Sequence, residues 1–380
     1  MPRMIGLAVV ALVAGAVAVL RQVVGLGMAL RYARRARLRS IPAGPTPPIS
    51  LIKPLYGDEP GLEQNLVATL RQNYPEFEVL FVHERADDPA LKAVDAAVRA
   101  VPGVEVRRLA GRDTDVANPK VAVLVRGEAE ARHGILVTAD ADVRPDPLYL
   151  RDVANGLADA DLVSFLPVFH GMRTFWARAV GLLLDTDSLL PLFVANGRVA
   201  TGSTIGVRKE ALERIGGYRA VAGHIADDYE LGAAMKRAGG RLALARRPAR
   251  LYMPGCGFGE SAGWGVRWLR TVRSTLPAAY VALLFVALAP PLLLVCALTT
   301  PYHAPALWLL GAHTVGRALA ATLVDLRFCR DGCLLRSLHL LPLLWFLEPV
   351  AAIVGAFGRT VLWRGRRYRL KNGRATLLHP

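Results

Sequence analysis

The sequence predicts an α/β domain on a mostly parallel sheet, held between apolar helices at both ends of the chain. Three observations predict it. Strand-like and helix-like segments alternate from residue 49 to about residue 250, at the spacing that parallel strands and crossover helices need. Long uncharged stretches stand before and after that region. Acidic residues follow directly on two of the strand-like runs, where sheets of this kind bind ligands.

Composition narrows the class. The 380 residues suffice for one large domain and further elements. Hydrophobic residues make up 53% and the mean hydropathy is +0.32, high for a soluble protein. A formal charge of +16 suits either nucleic acid or an anionic membrane surface. Arginines cluster beside the apolar stretches and no basic-aromatic recognition motif occurs, so the charge points to membrane and excludes nucleic acid as a partner. Cys256, Cys296, Cys329 and Cys333 lack zinc spacing and read as reduced thiols of a cytoplasm-facing protein. Arginine and alanine usage suits a GC-rich bacterial genome, hence a multi-pass protein of a bacterial inner membrane.

In chain order, Ile5 to Leu20 is uncharged, Arg21 and Gln22 interrupt, and Val23 to Leu30 resumes, which makes one spanning helix. The positive charges follow it (Arg31, Arg34, Arg35, Arg37 and Arg39 against Arg3 before it), so residue 40 onward faces the cytoplasm. Residues 1–40 are thus an anchor with a basic flank. A Pro-rich linker, Ile41 to Pro48, opens the α/β domain at 41–275. Strands are expected at Ser50–Leu55, Glu78–Val82, Val104–Val106 and Ile135–Ala139. Helices are expected at Pro60–Leu70, Pro89–Ala100 and Pro119–Ala131. Residues 171–195 read as an interfacial helix, because Asp185 and Asp187 interrupt their apolar run. Asp227, with Glu230 three residues on, has the pattern of a capping box opening a helix that ends at Gly239-Gly240. Residues 276–358 hold three apolar stretches that span or re-enter the membrane, the last broken by Pro342, Glu348 and Pro349. Residues 359–380 form a basic tail with a hairpin signal at Asn372-Gly373. Four full spans would put that tail outside, whereas its seven positive charges put it inside, so the last apolar stretch is expected to re-enter or lie along the surface.

The chemistry starts at Asp140-Ala-Asp142. Residues i and i+2 of an extended chain share a face, so both carboxylates can converge just past the strand. Such a pair suits a hard divalent cation, Mg²⁺ or Mn²⁺, completed by substrate phosphate oxygens. The plainer alternative is a polar strand end with capping and turn acids. Glu84, Asp87 and Asp88 form a second acidic strand end. Asp228 falls in the first turn of its helix, where the dipole favours the carboxylate, and it needs no capping role. No Gly-x-Gly-x-x-Gly or Walker lysine motif occurs, which leaves dinucleotide and P-loop readings without support.

Six segments then occur in a telling order. They are Lys-Pro-Leu-x-Gly-Asp-Glu-Pro (53–60), Asp-Asp-Pro-Ala (87–90), Asn-Pro-Lys (118–120), Asp-Ala-Asp (140–142), Ala-Asp-Asp-Tyr (226–229) and Arg-Trp (267–268). C-terminal apolar stretches and Trp-Arg-Gly-Arg-Arg-Tyr (363–368) close the chain. In these it resembles the membrane-bound glycosyltransferases of families 2 and 21, with their Rossmann-like GT-A fold. It is most similar to ceramide glucosyltransferases and the related bacterial hopanoid-associated enzymes. The resemblance implies an inverting transfer of a hexose from a UDP-sugar to a lipid hydroxyl at the cytoplasmic face. It implies that Glu84, Asp87, Asp88, Lys120 and Asp140 bind the nucleotide sugar and that Asp140 and Asp142 hold the divalent cation. Asp228 is then the catalytic base, and Arg267 and Trp268 serve the diphosphate and the acceptor. One position departs from the family pattern Gln/Arg-x-x-Arg-Trp: Trp264 stands first. UDP-glucose and ceramide follow the nearest resemblance. N-acetylglucosamine to a hopanoid, a hexose to diacylglycerol, a processive polysaccharide synthase and a non-catalytic binder of nucleotide sugar or lipid are the alternatives.

Overall fold

The structure is a computed structural model that describes residues 2–36 and 44–379. Arg37, Arg39 and the start of the Pro-rich linker lie outside the described residues. The chain opens with α1 (Pro2–Ala36). The α/β domain runs β1 (Ile49–Leu55), α2 (Leu62–Leu70), β2 (Phe77–His83), α3 (Leu91–Ala100), β3 (Glu105–Ala110), α4 (Pro119–Glu130), β4 (Ile135–Ala139), α5 (Tyr149–Gly156), β5 (Leu162–Ser164) and β6 (Pro167–His170). It continues with α6 (Phe175–Leu183), α7 (Leu189–Ala195), β7 (Thr204–Arg208), α8 (Lys209–Arg214), α9 (Asp227–Arg237), β8 (Leu242–Leu244), β9 (Ala249–Tyr252) and α10 (Phe258–Thr275). Then come α11 (Pro277–Ala287), α12 (Ala289–Thr299), α13 (His303–Val324), α14 (Leu341–Ala356), β10 (Thr360–Trp363), β11 (Arg366–Lys371) and β12 (Arg374–His379).

Seven strands form the central sheet in the order β3-β2-β1-β4-β7-β5-β8. Only β7 runs antiparallel to its neighbours. This is the fold class the sequence predicts. Helices cover both faces, which is why β1, β2 and β4 are nearly continuous apolar runs. Leu51, Val79 and Val137 pack with Leu66, Val94 and Leu150 on one face, and Ile52, Leu80 and Leu136 pack with Val123 and Leu212 on the other. Strand order reverses at β1, which has β2 on one side and β4 on the other. The crevice beyond the carboxyl ends of β1 and β4 is therefore the switch point at which such sheets take ligands.

Four helical stretches among the described residues are long and apolar enough to cross a membrane: Met4–Ala36, Pro277–Thr299, His303–Cys329 and Leu335–Ala356. Small residues let three of them approach closely. Ala8 and Ala11 of α1 meet Leu293 and Cys296 of α12 and Ala306 and Leu310 of α13. Further along α1, Ala29 and Ala33 share a cluster with Ala320 and Val324. So α13 runs parallel to α1, and α12 runs antiparallel to it. The stretch ending in α14 behaves differently. Leu341 and Leu344 sit in the cluster of Ala29 and Tyr32, at the end of α1 nearest the α/β domain. Its other end accepts a hydrogen bond from Arg273 of α10 at Ala356. Both ends of α14 thus pack on the domain side of the bundle.

The residues read as a basic tail fold into a three-stranded antiparallel sheet, β10-β11-β12. Tyr368 and Leu370 bury against Val361, Ala375 and Ile225, while Arg367, Arg369 and Lys371 alternate outward. Asn372 (φ 51°) and Gly373 (φ 75°) supply the left-handed turn between β11 and β12.

Candidate active site

Residues from five segments meet beyond the carboxyl ends of β1 and β4, and Lys120 is at their centre. Asn118 caps α4, accepting from Lys120 N at 2.9 Å and Val121 N at 3.2 Å, with Pro119 preset for the first turn. Asn118 Nδ2 also donates to His224 O at 2.7 Å, tying α4 to the loop before α9. The Lys120 ammonium lies 2.7 Å from Asp140 Oδ1 and 3.7 Å from Asp227 Oδ2, and it donates to Gly202 O at 3.0 Å. Burial works against that charge, but Asp140, Asp227 and Asp228 outweigh it and hold the ammonium well above its usual pKa.

A second lysine, Lys53, is fully buried inside β1. It donates to Asp140 O at 2.8 Å and to Val143 O at 3.1 Å, which fixes the turn carrying both aspartates. Burial pulls its pKa down to about 8 against the pull of Asp142, Asp140 and Glu59. Burial, then Asp140 and Glu59, push Asp142 up to about 7. Its Oδ1 is buried with no hydrogen-bond partner.

Asp227 corrects the capping-box expectation. Ala226 holds the N-cap position without a side-chain cap, and Asp227 is the first residue of α9. Its carboxylate turns to Lys120, because a buried ammonium is a stronger partner than a backbone N–H. Asp228 stands beside it. Burial and then Asp227 push Asp228 up to about 6, with Lys120 pulling the other way. It has room there because residue 202 is glycine: a Cβ on Gly202 would lie 2.7 Å from Asp228 Oδ2.

The other expected residues are placed unevenly. Asp88 is buried and accepts from Gly57 N and Ala90 N, both at 2.9 Å, which braces the loop after β1 against the loop after β2. Glu84 pairs with Arg112 at 2.8 Å and Arg366 at 2.6 Å. Burial would raise its pKa, but these two arginines hold it below the usual carboxylate range. Asp87 is exposed and pairs with Arg85 at 2.8 Å, outside the cluster. Arg267 and Trp268 are half-buried on α10, and the Arg267 guanidinium lies 6.0 Å from the centre of the Trp363 ring. Trp264 stands edge-on to Phe169 at 6.5 Å. His224 meets Arg374 through an isolated backbone bridge.

No group of three or more His, Cys, Asp or Glu side chains among the described residues forms a ready-made metal cage. The donor set fits a different kind of site. Asp142 presents an orphaned carboxylate oxygen beside the partly exposed carboxylate of Asp140, and two carboxylates are what a cation shared with substrate phosphates requires. A cleft of about 560 Å³ lies elsewhere, near Asp152, Lys236 and Arg246, and contains none of these groups.

Sequence reasoning gave no role to Lys53 and Glu59 of segment 53–60 or to Arg364 and Arg366 of segment 363–368, and it missed Gly202 altogether. Lys53 left a further signal, a lysine inside an otherwise apolar strand run.

The family model for glycosyl transferase family 21 matches residues 5–376. Ceramide glucosyltransferase 1 of Caenorhabditis elegans is 26% identical over 209 residues, 53% of this chain and 45% of that protein. Ceramide glucosyltransferase 3 of the same organism is 23% identical over 237 residues, 61% of this chain and 52% of that protein. The chain spans about half the length of these two relatives. Among solved structures, the mannosyltransferase PcManGT from Pyrobaculum calidifontis, in complex with GDP-Man and Mn²⁺, is similar with a TM-score of 0.47 and 20% identity, covering 90% of this chain and 97% of that one.

Proposed function

The chain belongs to glycosyl transferase family 21, and we propose that it is an inverting membrane glycosyltransferase that moves a hexose from a UDP-sugar to a lipid hydroxyl. The observation that carries this reading is the excess of carboxylate (Asp140, Asp142, Asp227 and Asp228) around the buried Lys120, at the switch point of the sheet. The cluster stands in a domain joined at both ends to membrane-length helices, and a lipid acceptor suits that setting.

In this reading Asp228, ionised at neutral pH, accepts the proton of the acceptor hydroxyl. The hydroxyl oxygen forms its bond to the anomeric carbon on the face opposite the diphosphate. The anomeric C–O bond to the diphosphate breaks, the electron pair leaves with UDP, and the configuration inverts. Lys120 sits where it can hold charge on the nucleotide once a ligand loosens its pair with Asp140. A divalent cation, Mg²⁺ or Mn²⁺, held by Asp140 and Asp142 would supply Lewis-acid stabilisation of the leaving diphosphate. Asp88 anchors the loop that receives the nucleoside. The positive charges of the C-terminal sheet and those after α1 support a position on the cytoplasmic face of a bacterial inner membrane in this reading.

The test is UDP release by membranes containing the protein, given a panel of UDP-sugars with ceramide, hopanoid and diacylglycerol acceptors, beside Asp228→Asn. Turnover that is lost in the variant supports the reading, and mass spectrometry of the lipid names sugar and acceptor. A polymeric product would replace it with a polysaccharide synthase. UDP binding without turnover would replace it with a binding protein, for which Trp264 is the residue to revert.

A further inference from the structure

The C-terminal sheet touches the loops after β1 and β2, the loop before α9, and α10. Arg366 pairs with Glu84 at the end of β2. Tyr56, just past β1, donates to Arg364 O at 3.2 Å. Ile225, two residues before Asp227, donates from its N–H to Gly373 O at 3.3 Å, and Ala375 N donates to Gly223 O at 2.8 Å. Trp363 lies under Arg267 of α10.

Two tight turns connect this sheet, and they differ. Between β11 and β12 the left-handed positions are filled by Asn372 and Gly373, the residues that tolerate them best. Between β10 and β11 the equivalent positions hold Arg364 (φ 48°) and Gly365 (φ 73°). An arginine at positive φ is strained, and the turn itself does not need it. Its guanidinium lies 5.1 Å from the centre of the Tyr56 ring, and among the described residues no carboxylate closes an ion pair with it. It stands close enough to Glu59, in the loop after β1, to pull down a carboxyl that burial pushes up.

We infer that Arg364 is a binding residue for the diphosphate of a nucleotide donor, held by the C-terminal sheet beside Tyr56 and Glu59 at the loop after β1. The inference rests on the nucleotide-sugar reading above. An unpaired fork of N–H donors beside an aromatic ring suits a phosphate with a nucleoside next to it.

Arg364→Asn tests this without endangering the fold, since asparagine is the better residue for the turn. UDP and UMP binding are measured by calorimetry on the full detergent-solubilised chain with Mn²⁺ present, beside thermal unfolding. The variant should unfold no earlier than the wild type, and its UDP dissociation constant should rise about tenfold or more while that of UMP changes far less. Arg364→Lys should recover part of the loss. The ratio of UDP to UMP affinity within one variant does not depend on the folded fraction. An unchanged ratio in Arg364→Asn would overturn the inference and leave the donor reading standing. A wild-type chain that binds no UDP would overturn both.

Discussion

Two clusters of buried charge lie in this molecule, and they are built to opposite rules. In the helical bundle, Arg317 is fully buried and pairs with Asp187 at 2.7 Å and Glu348 at 2.5 Å, while Arg21 also pairs with Asp187. Two arginines there meet two carboxylates. At the switch point, the ammoniums of Lys53 and Lys120 face Asp140, Asp142, Asp227, Asp228 and Glu59, and an Asp142 oxygen is left without a partner. A cluster balanced in charge closes its ion pairs across the helices it joins. An unbalanced one holds carboxylate charge in excess, which is what marks a candidate functional site.

Four substitutions or titrations press on that contrast. Asp228→Asn should lower kcat about a hundredfold to ten-thousandfold, the usual share of a general base, with thermal unfolding little changed. A fully active variant would remove Asp228 from the mechanism. Arg317→Ala should do the reverse, costing about 3–5 kcal/mol of stability by leaving Asp187 and Glu348 buried and short of a partner. Its readout is the unfolding midpoint in detergent, and unchanged stability would show that the bundle cluster does not hold the helices.

The pH profile should separate the clusters more finely. A base must be ionised to work, so kcat/KM should be level above pH 6 and fall about tenfold per unit below it as Asp228 takes up a proton. A profile with no break between pH 5 and 7 would contradict that role. The smallest expected effect belongs to Gly202→Ala. The added Cβ crowds Asp228 Oδ2, so kcat should drop about tenfold as the base is displaced, by the sensitivity of catalysis to small misplacements, with its KM for donor nearly unchanged.

Much of the site was legible beforehand because short-range geometry creates it. Asp140 and Asp142 follow β4 directly, in a turn closed by Val143 N to Asp140 O and not on an extended strand face, Asn-Pro-Lys opens a helix, and Asp228 falls in a helix's first turn, all within a few residues. Asp227 was misread for the same reason: its local pattern matches a capping box, but its partner is Lys120, far away in sequence. The C-terminal residues were misread through their charge. Arg367, Arg369 and Lys371 dominate the composition, and the alternating Tyr368 and Leu370 that make β11 a strand are outnumbered.

The amino-acid sequence by itself determined the alternation of strands and helices, the apolar stretches at both ends and the carboxylates at the strand ends. These follow from periodicity and hydropathy, which are properties of neighbouring residues. Only the tertiary structure decided that Lys53 braces the Asp140 turn, that Gly202 makes room for Asp228, that both ends of α14 pack on the domain side of the bundle and that Arg364 meets Tyr56 in the loop after β1. Each depends on contacts between distant segments, and a buried charge takes whichever partner the packing brings within reach.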